Sequence, residues 1–201
     1  FTRSECEHVL IDLHFLGIEN VLALRGDGLK GESVFRPEPA GNTHAIDLVQ
    51  QITQLKKGIY LDPALKNTTP LDFCVGVAGY PEKHAEAPNL ETDLCYLRQK
   101  VEAGADYIVT QMFFDNQVYF DFVKRCREMG ITVPIIPGIK PIALMNQLTV
   151  LPKIFSISLP SDLSKALHGC KTDDQARQAG TEWAIHQARE LIAAGVPGLH
   201  I

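Results

Sequence analysis

Val101-Glu102-Ala103-Gly104-Ala105-Asp106-Tyr107-Ile108-Val109-Thr110-Gln111 contains the joint that decides the fold. A polar-faced helix ends at Gly104, and an apolar strand begins three residues later at Tyr107. Glycine after a helix takes the left-handed cap conformation without a Cβ clash, and a strand covered on both faces reads as continuously apolar. The same joint recurs at Gly17 before Asn20-Val21-Leu22-Ala23-Leu24, at Gly130 before Val133-Pro134-Ile135-Ile136, and at Gly195 before Gly198-Leu199. This repetition predicts α–β units. The strands run out into polar clusters, Arg25-Gly26-Asp27, Tyr80-Pro81-Glu82-Lys83-His84, Thr110-Gln111 and Lys140. In α/β folds ligands bind at that end of the strands.

The chain has 201 residues, 45% hydrophobic and 21% charged, enough for one well-cored domain. A formal net charge of -5 argues against a nucleic-acid surface, which needs concentrated Lys and Arg. Small molecules or copies of the same chain are the expected partners. Cys6, Cys74, Cys95, Cys126 and Cys170 are odd in number and contain no C-x-x-C pair. They read as reduced, buried small hydrophobes of a cytoplasmic protein. No apolar run reaches the roughly 18 residues of a membrane helix. The start at Phe1, without an initiator Met or a signal pattern, suggests a piece of a longer protein.

Along the chain, Thr2-Arg3-Ser4-Glu5 fits a capping box that starts a helix with Val9, Leu10, Leu13 and Leu16 as its buried stripe. Residues 20–27 form a strand, 28–42 a Gly- and Pro-rich loop of a length usually tied to function. Thr43 to Lys57 is a helix with Ile46, Val49, Ile52 and Leu55 inward, and 59–70 is an irregular insertion. Strands are expected at 73–78, 107–114 and 133–139, with helices at 90–103 and 116–129 between them. Short helices follow from 143, then a long one over 176–194 and the beginning of a last strand at 198–201. Five strands separated by helical segments are expected to run parallel.

Several motifs admit more than one reading. Gly26-Asp27-Gly28-Leu29-Lys30-Gly31 matches G-x-G-x-x-G after a strand. The third glycine should open a helix, yet Pro37 and Pro39 follow, and the acid about twenty residues on, Asp47, falls inside a helix rather than at a strand tip. Arg25-Gly26-Asp27 is also the adhesion tripeptide, but it ends an apolar strand instead of topping an extracellular loop. On a strand, Arg25 and Asp27 point to one side, which fits either an ion pair closing the strand end or an anion site with a neighbouring carboxylate. Tyr80-Pro81-Glu82-Lys83-His84 suits gripping a flat ring or a phosphate, although each residue type is common on surface loops. Gln111 either satisfies a buried backbone group or binds a ligand. The histidines form no HExxH or tight His/Cys/Asp cluster, so no metal site is expected, and no G-x-S-x-G elbow is present.

Taken together, the strings resemble the methylenetetrahydrofolate reductase family, flavoenzymes built on a (β/α)8 TIM barrel. The matching segments are Asn20 to Asp27, Val77 to His84 with Glu86-Ala87, Ala103 to Asp106 leading into Thr110-Gln111-Met112-Phe113-Phe114-Asp115, Ile135 to Ile139, and Pro197-Gly198-Leu199-His200. They run from end to end in the family's order. The resemblance implies that residues 1–201 are a single partial flavin-binding catalytic domain holding about strands 4–8 of the barrel, without its first three strands or its C-terminal end. The family's general acid, a glutamate on the first strand, and a flavin-contacting histidine just before Phe1 then lie outside this sequence, so the fragment alone is expected to be inactive.

By motif position the resemblance implies that Leu24, Arg25, Gly26, Asp27, Tyr80, His84, Ala87, Asp93 and Lys100 bind FAD, with Arg25 and Lys100 suited to the pyrophosphate. Asp27 takes the catalytic part: a carboxylate near the isoalloxazine stabilises a cationic iminium on the folate before hydride arrives. Gln111 and Gln147 would bind the pterin, whose amide-like edge matches a carboxamide. The implied reaction is ping-pong reduction of 5,10-methylenetetrahydrofolate to 5-methyltetrahydrofolate with NADH or NADPH, by a homo-oligomer. Tyr96 and Gln99 stand where relatives often have Asn and Arg, Leu151 where some have phenylalanine, and the 59–70 insertion is longer than in many bacterial forms. Two other readings remain: a non-catalytic barrel fragment acting only in a complex, and another flavin- or folate-using barrel enzyme.

Overall fold

The computed structural model describes residues 1–26, 28 and 35–201. Its elements, in chain order, are α1 (Arg3–Phe15), β1 (Asn20–Ala23), α2 (Ala45–Leu55), β2 (Cys74–Gly79), α3 (Leu90–Glu102), β3 (Tyr107–Thr110), α4 (Asn116–Glu128), β4 (Ile135–Ile136), α5 (Gln147–Phe155), α6 (Ser161–His168) and α7 (Asp173–Ala193). The strands follow one another across the sheet in chain order. β1 and β2 are parallel, with Asn20 opposite Cys74 and Ala23 opposite Val77. β3 also runs parallel to β2, because Asp106 N–H donates to Val75 O and Gln111 N–H to Gly79 O, both partners advancing together. The chain divides into two compact units, Phe1–Ala78 with Gln99–Ile108 and Gly79–Arg98 with Val109–Ile201.

In the first unit, α1 begins with the expected capping box. Glu5 N–H donates to Thr2 Oγ1 at 3.2 Å, and Thr2 N–H donates to the Glu5 carboxylate at 2.7 Å. Asp47 performs the same service for α2, accepting from Thr43 and His44 N–H at 3.0 and 2.8 Å. That use explains why an acid lies there without any nucleotide fingerprint. Val49, Ile52 and Leu55 on α2 are fully buried, together with Phe73, Val75 and Val77 and Ile108. The joint at Gly104 has φ +120, and a Cβ there would overlap the Thr53 hydroxyl, which donates to Ala103 O at 2.8 Å. A side chain is excluded twice, by backbone conformation and by space.

The second unit has its core where Phe114, Ile142, Leu151, Ile157, Leu163, Leu167 and Ala176 meet. α7 packs on both α6 and α4. Its polar side chains explain the attachment. Trp183 Nε1–H donates to Phe114 O at 3.0 Å, the buried Gln187 amide donates to Phe113 O at 3.2 Å, and Asn116 Nδ2 donates to Gln187 O and Glu190. Trp183 and Gln187 thereby satisfy the carbonyls released past the end of β3. At Gly180 the helix comes so close to the Ile142 carbonyl that no Cβ fits.

The structure corrects several expectations. β1 and β3 are shorter than 20–27 and 107–114; past β3, Gln111 N–H makes one more bond to Gly79 O, the Thr110 hydroxyl accepts Gly138 N–H at 2.9 Å, and the Phe113 and Phe114 carbonyls then bond to α7 instead of a ladder. Within 133–139 only Ile135–Ile136 is a strand, and the last strand is reduced to a single parallel bridge of Gly138 with His200. α7 starts at Asp173, since the Thr172 hydroxyl caps Gln175 N–H. On α1 only Leu10 of the expected stripe is buried, while Val9 and Leu16 are exposed. The described residues place no element over that side. Of the cysteines Cys126 alone is buried and Cys74 is exposed, although all five are free thiols as expected. No helix among the described residues is long and apolar enough to cross a membrane.

Replacing Gly104 by alanine should lower stability by about 1–3 kcal/mol, the usual cost of a strained backbone position, and chemical denaturation at equilibrium measures it; an unchanged midpoint would remove the proposed constraint. A second expectation concerns alkali. Burial pushes both the Tyr119 hydroxyl and the Cys126 thiol up to about 12, from ordinary values of 10.0 and 9.0. Both groups are neutral in the fold and ionise more readily when unfolded, so their contribution is complete below pH 9 and is lost as pH rises toward 12. The thermal midpoint should fall across that window, with a flatter slope in Cys126→Ser.

Candidate functional site

In the first unit β1 leads directly into Leu24, Arg25 and Gly26. Ala23 is buried and Leu22 and Leu24 are largely exposed, the period-two alternation of a strand end. The half-buried Arg25 guanidinium lies 5.0 Å from the centre of the Phe35 ring. Phe35 also neighbours Gly26, where a Cβ would sit 3.7 Å from its ring. An aromatic face of this kind restricts a guanidinium to one plane. Asp27, the residue expected to be catalytic, lies outside the described residues, as does most of the G-x-G-x-x-G match. Lys100, near the end of α3, donates from Nζ to Ala78 O at 2.6 Å. The expected pyrophosphate ligand is thus seated on the last turn of β2, where it satisfies a strand carbonyl.

The second unit gathers three of the predicted residues in one loop and a fourth at the start of the helix that follows it. Tyr80 and His84 stand edge to face with ring centres 4.6 Å apart. Asp93, in the first turn of α3, accepts His84 N–H at 2.8 Å, and the buried Ala87 donates its N–H to His84 O at 3.1 Å. Glu86 N–H donates to His84 Nδ1 at 3.1 Å, which puts the imidazole proton on Nε2. Asp93 therefore holds the loop that carries His84. Its expected cofactor contact is joined by a structural duty that motif position alone did not reveal.

Lys83 was part of the sequence motif but was given no task. Its backbone has φ +117, and its ammonium turns back to donate to His84 O at 3.0 Å and Ala87 O at 2.7 Å. An ammonium with three donors is suited to drawing several carbonyls together. The signal for this was weak in the sequence, because a lysine after a glutamate on a surface loop ordinarily reads as solvated.

The two glutamines occupy different local settings. Gln111, half-buried just past β3, accepts Met112 N–H on its own Oε1 at 3.0 Å. Gln147 opens α5, and its Oε1 accepts Ala143 and Leu144 N–H at 2.7 and 3.0 Å. In each the carboxamide oxygen is engaged with backbone, so the NH2 group is what remains to meet a ligand. Elsewhere, a polar pocket in the first unit lined by Arg3, Asn42, Asp47 and Gln51 contains none of the predicted residues. Among the described residues no group of three or more His, Cys, Asp or Glu is arranged to hold a metal ion.

Comparison with known proteins places these features in a family. The family model for methylenetetrahydrofolate reductase matches residues 1–201. Methylenetetrahydrofolate reductase (NADH) 1 of Zea mays is 38% identical over 98% of the chain, which covers 33% of that relative. The probable methylenetetrahydrofolate reductase (NADPH) of Caenorhabditis elegans is 36% identical over 92% of the chain and 26% of its own length. The 5,10-methylenetetrahydrofolate reductase of Salmonella typhimurium is 34% identical over 99% of the chain and 60% of its own length. The chain thus spans about a third of the plant relatives it matches. A solved Clostridium thermocellum protein, described as binding two copies of 5-methyl-5,6,7,8-tetrahydrofolic acid, covers the whole chain and 62% of its own with a TM-score of 0.53. At 16% identity that likeness speaks to the fold alone. With a family match running from Phe1 to Ile201 and relatives above one-third identity over nearly its full length, the chain belongs to the methylenetetrahydrofolate reductase family.

Proposed function

We propose that the full-length protein containing this chain is an FAD-dependent oxidoreductase that reduces 5,10-methylenetetrahydrofolate to 5-methyltetrahydrofolate with NADH or NADPH, by a ping-pong route. It acts in the cytoplasm as a homo-oligomer. The parallel strands are the fourth and later strands of a (β/α)8 barrel, with the Gly138–His200 bridge as the start of the eighth. Family membership supports the reaction class, and the relatives' names include both nicotinamide nucleotides. The observation that carries the reading is the loop from Tyr80 to Ala87, in which two rings, a buried alanine and the Asp93 anchor converge at the exit of β2.

The donor set fits a flavin dinucleotide. Arg25 presents a guanidinium restricted by Phe35, suited to a pyrophosphate oxygen, and Lys100 adds a second cation. The edge-to-face rings of Tyr80 and His84 offer an aromatic surface with an Nε2–H donor at its rim. Leu24, Gly26 and Ala87 are small or apolar, as close approach of a flat ring requires. Bound FAD supplies two-electron hydride chemistry that no amino-acid side chain provides. Asp27 is assigned electrostatic stabilisation of the positive charge that develops on the folate methylene carbon. Gln111 and Gln147 orient the pterin through their NH2 groups, their oxygens being held by backbone.

The purified full-length protein should be yellow, and its steady-state rates with nicotinamide nucleotide and folate should give parallel double-reciprocal lines. Intersecting lines would remove the ping-pong route, and a colourless protein indifferent to FAD would favour the non-catalytic reading. Asp27→Asn should retain FAD yet slow the folate half-reaction by about 10²-fold or more, the usual effect of losing one electrostatic group. Stopped-flow measurement of both half-reactions decides it, since equal slowing of flavin reduction and folate reduction would end the role given to Asp27.

A further inference from the structure

Resting on the flavin reading above, we propose that Glu82 is a positioning residue whose carboxylate latches the Tyr80–Ala87 loop to Ser158, and so sets the cofactor-side loop relative to the helix that carries Gln147. Ser158 N–H donates to both oxygens of the Glu82 carboxylate, at 3.0 and 2.9 Å, and the Ser158 hydroxyl donates to one of them at 2.6 Å. Three donor contacts from one residue to one carboxylate fix both its distance and its plane, which a single contact does not. The partners are 76 residues apart in sequence, so the latch joins elements that local folding does not bring together.

Each end of the latch is itself held. Ser158 follows Ile157, buried in the core cluster of the second unit, and lies two residues beyond Ser156, which ends α5 in the left-handed conformation with φ 53. Leu151 on α5 belongs to the same cluster. The backbone at Ser158 is thereby tied to α5, whose first residue is Gln147. At the other end Glu82 stands between the buried Pro81 and Lys83, whose ammonium gathers the carbonyls of His84 and Ala87. The Lys83 contacts are internal to the loop, and the Asp93 contact ties it to the adjoining α3. Glu82 instead reaches across to the segment between α5 and α6, so its loss leaves the loop's internal bonds in place while freeing its aim.

The latch lies at the surface, where Ser158 is exposed. Surface polar contacts add little to global stability. Their effect on a loop that binds a ligand is larger in proportion, because ordering must then be supplied by the ligand itself. Glu82 touches neither cofactor nor folate in this account and acts through His84 and Gln147.

The test compares Glu82→Ala, Glu82→Gln and Ser158→Ala in the full-length protein. Glu82→Ala should raise the FAD dissociation constant by about 5- to 10-fold and the KM for methylenetetrahydrofolate by a similar factor, while kcat of the flavin-saturated protein changes less than twofold, the signature of lost binding rather than lost chemistry. The visible circular dichroism of bound flavin should change, and the amides of residues 82–87 should exchange hydrogen faster in the apo protein. Glu82→Gln keeps an acceptor for Ser158 N–H and an amide that the hydroxyl can accept, so it should recover most of the affinity. Ser158→Ala, which removes the hydroxyl alone, should fall between. Wild-type affinity, dichroism and exchange in Glu82→Ala would overturn the latch while leaving the flavin reading intact. Failure of the wild type to bind FAD would overturn both, and equal thermal destabilisation by alanine and glutamine would reduce Glu82 to a structural part.

Discussion

The structure depends on what happens in the four residues after α3. Once Gly104 has reversed the backbone, Asp106 is attached to β2 at two points: its N–H donates to Val75 O at 2.7 Å, and its carboxylate accepts Val75 N–H at 2.8 Å. Lys56, at the end of α2, meets the same carboxylate at 3.1 Å. That double attachment sets the register of β3 on β2 before any side chain of β3 is packed. A slip of one residue would exchange the faces of the whole strand. In the observed register the Tyr107 ring covers Gly76, where any side chain would collide with it. Counting by two from Tyr107 brings Val109 and then Gln111 to the same side, opposite the buried Ile108 and Thr110. A predicted ligand residue is therefore placed by a turn seven positions earlier.

Polar residues do two kinds of work in this chain, and the difference lies in what they satisfy. Asn116 joins α4 to α7 through the Gln187 carbonyl, and Gln187 and Trp183 meet the carbonyls of Phe113 and Phe114 past the end of β3. Without them those carbonyls would be buried and unpaired, at a cost of about 1–3 kcal/mol each. They are framework. The polar residues of the β2 exit loop are bonded mainly to the loop's own backbone and the first turn of α3, which shapes a surface rather than closing a core. Such a loop on a rigid strand end is where α/β proteins place their binding groups.

The helix-to-strand joints were legible because glycine at a helix end is a local signal, and the positive φ at Gly17, Gly104, Gly130 and Gly195 follows from it. The capping box at Thr2 and Glu5 was legible for the same reason. Strand lengths were not. Met112, Phe113 and Phe114 are as apolar as the strand they follow, and only their bonding to α7 shows that the ladder has ended. Burial of α1 was not legible, because periodicity reports which face is apolar, not whether anything covers it. Of the candidate site, the clustering of Tyr80, His84, Ala87 and Asp93 followed the motif, with Asp93 nine residues from His84 and one helical turn into α3. The second duty of Lys100, seated on Ala78 O, had no sequence signature, since a lysine is expected in solvent until a carbonyl is shown beneath it.

Lys83 illustrates why a loop of this kind is built around a cation. A residue with φ +117 is strained for any side chain but glycine, and a glycine at position 83 would remove that strain at once. It would also remove the ammonium. The carbonyls of His84 and Ala87 would then lose the donor they share, leaving the Ala87 N–H on His84 O. The strain at one backbone position is thus offset by charge–dipole attraction at two others. A loop stabilised in this way is held from inside by Lys83 and from outside by Asp93 and Glu82, so the edge-to-face rings of Tyr80 and His84 sit on a segment anchored at both levels.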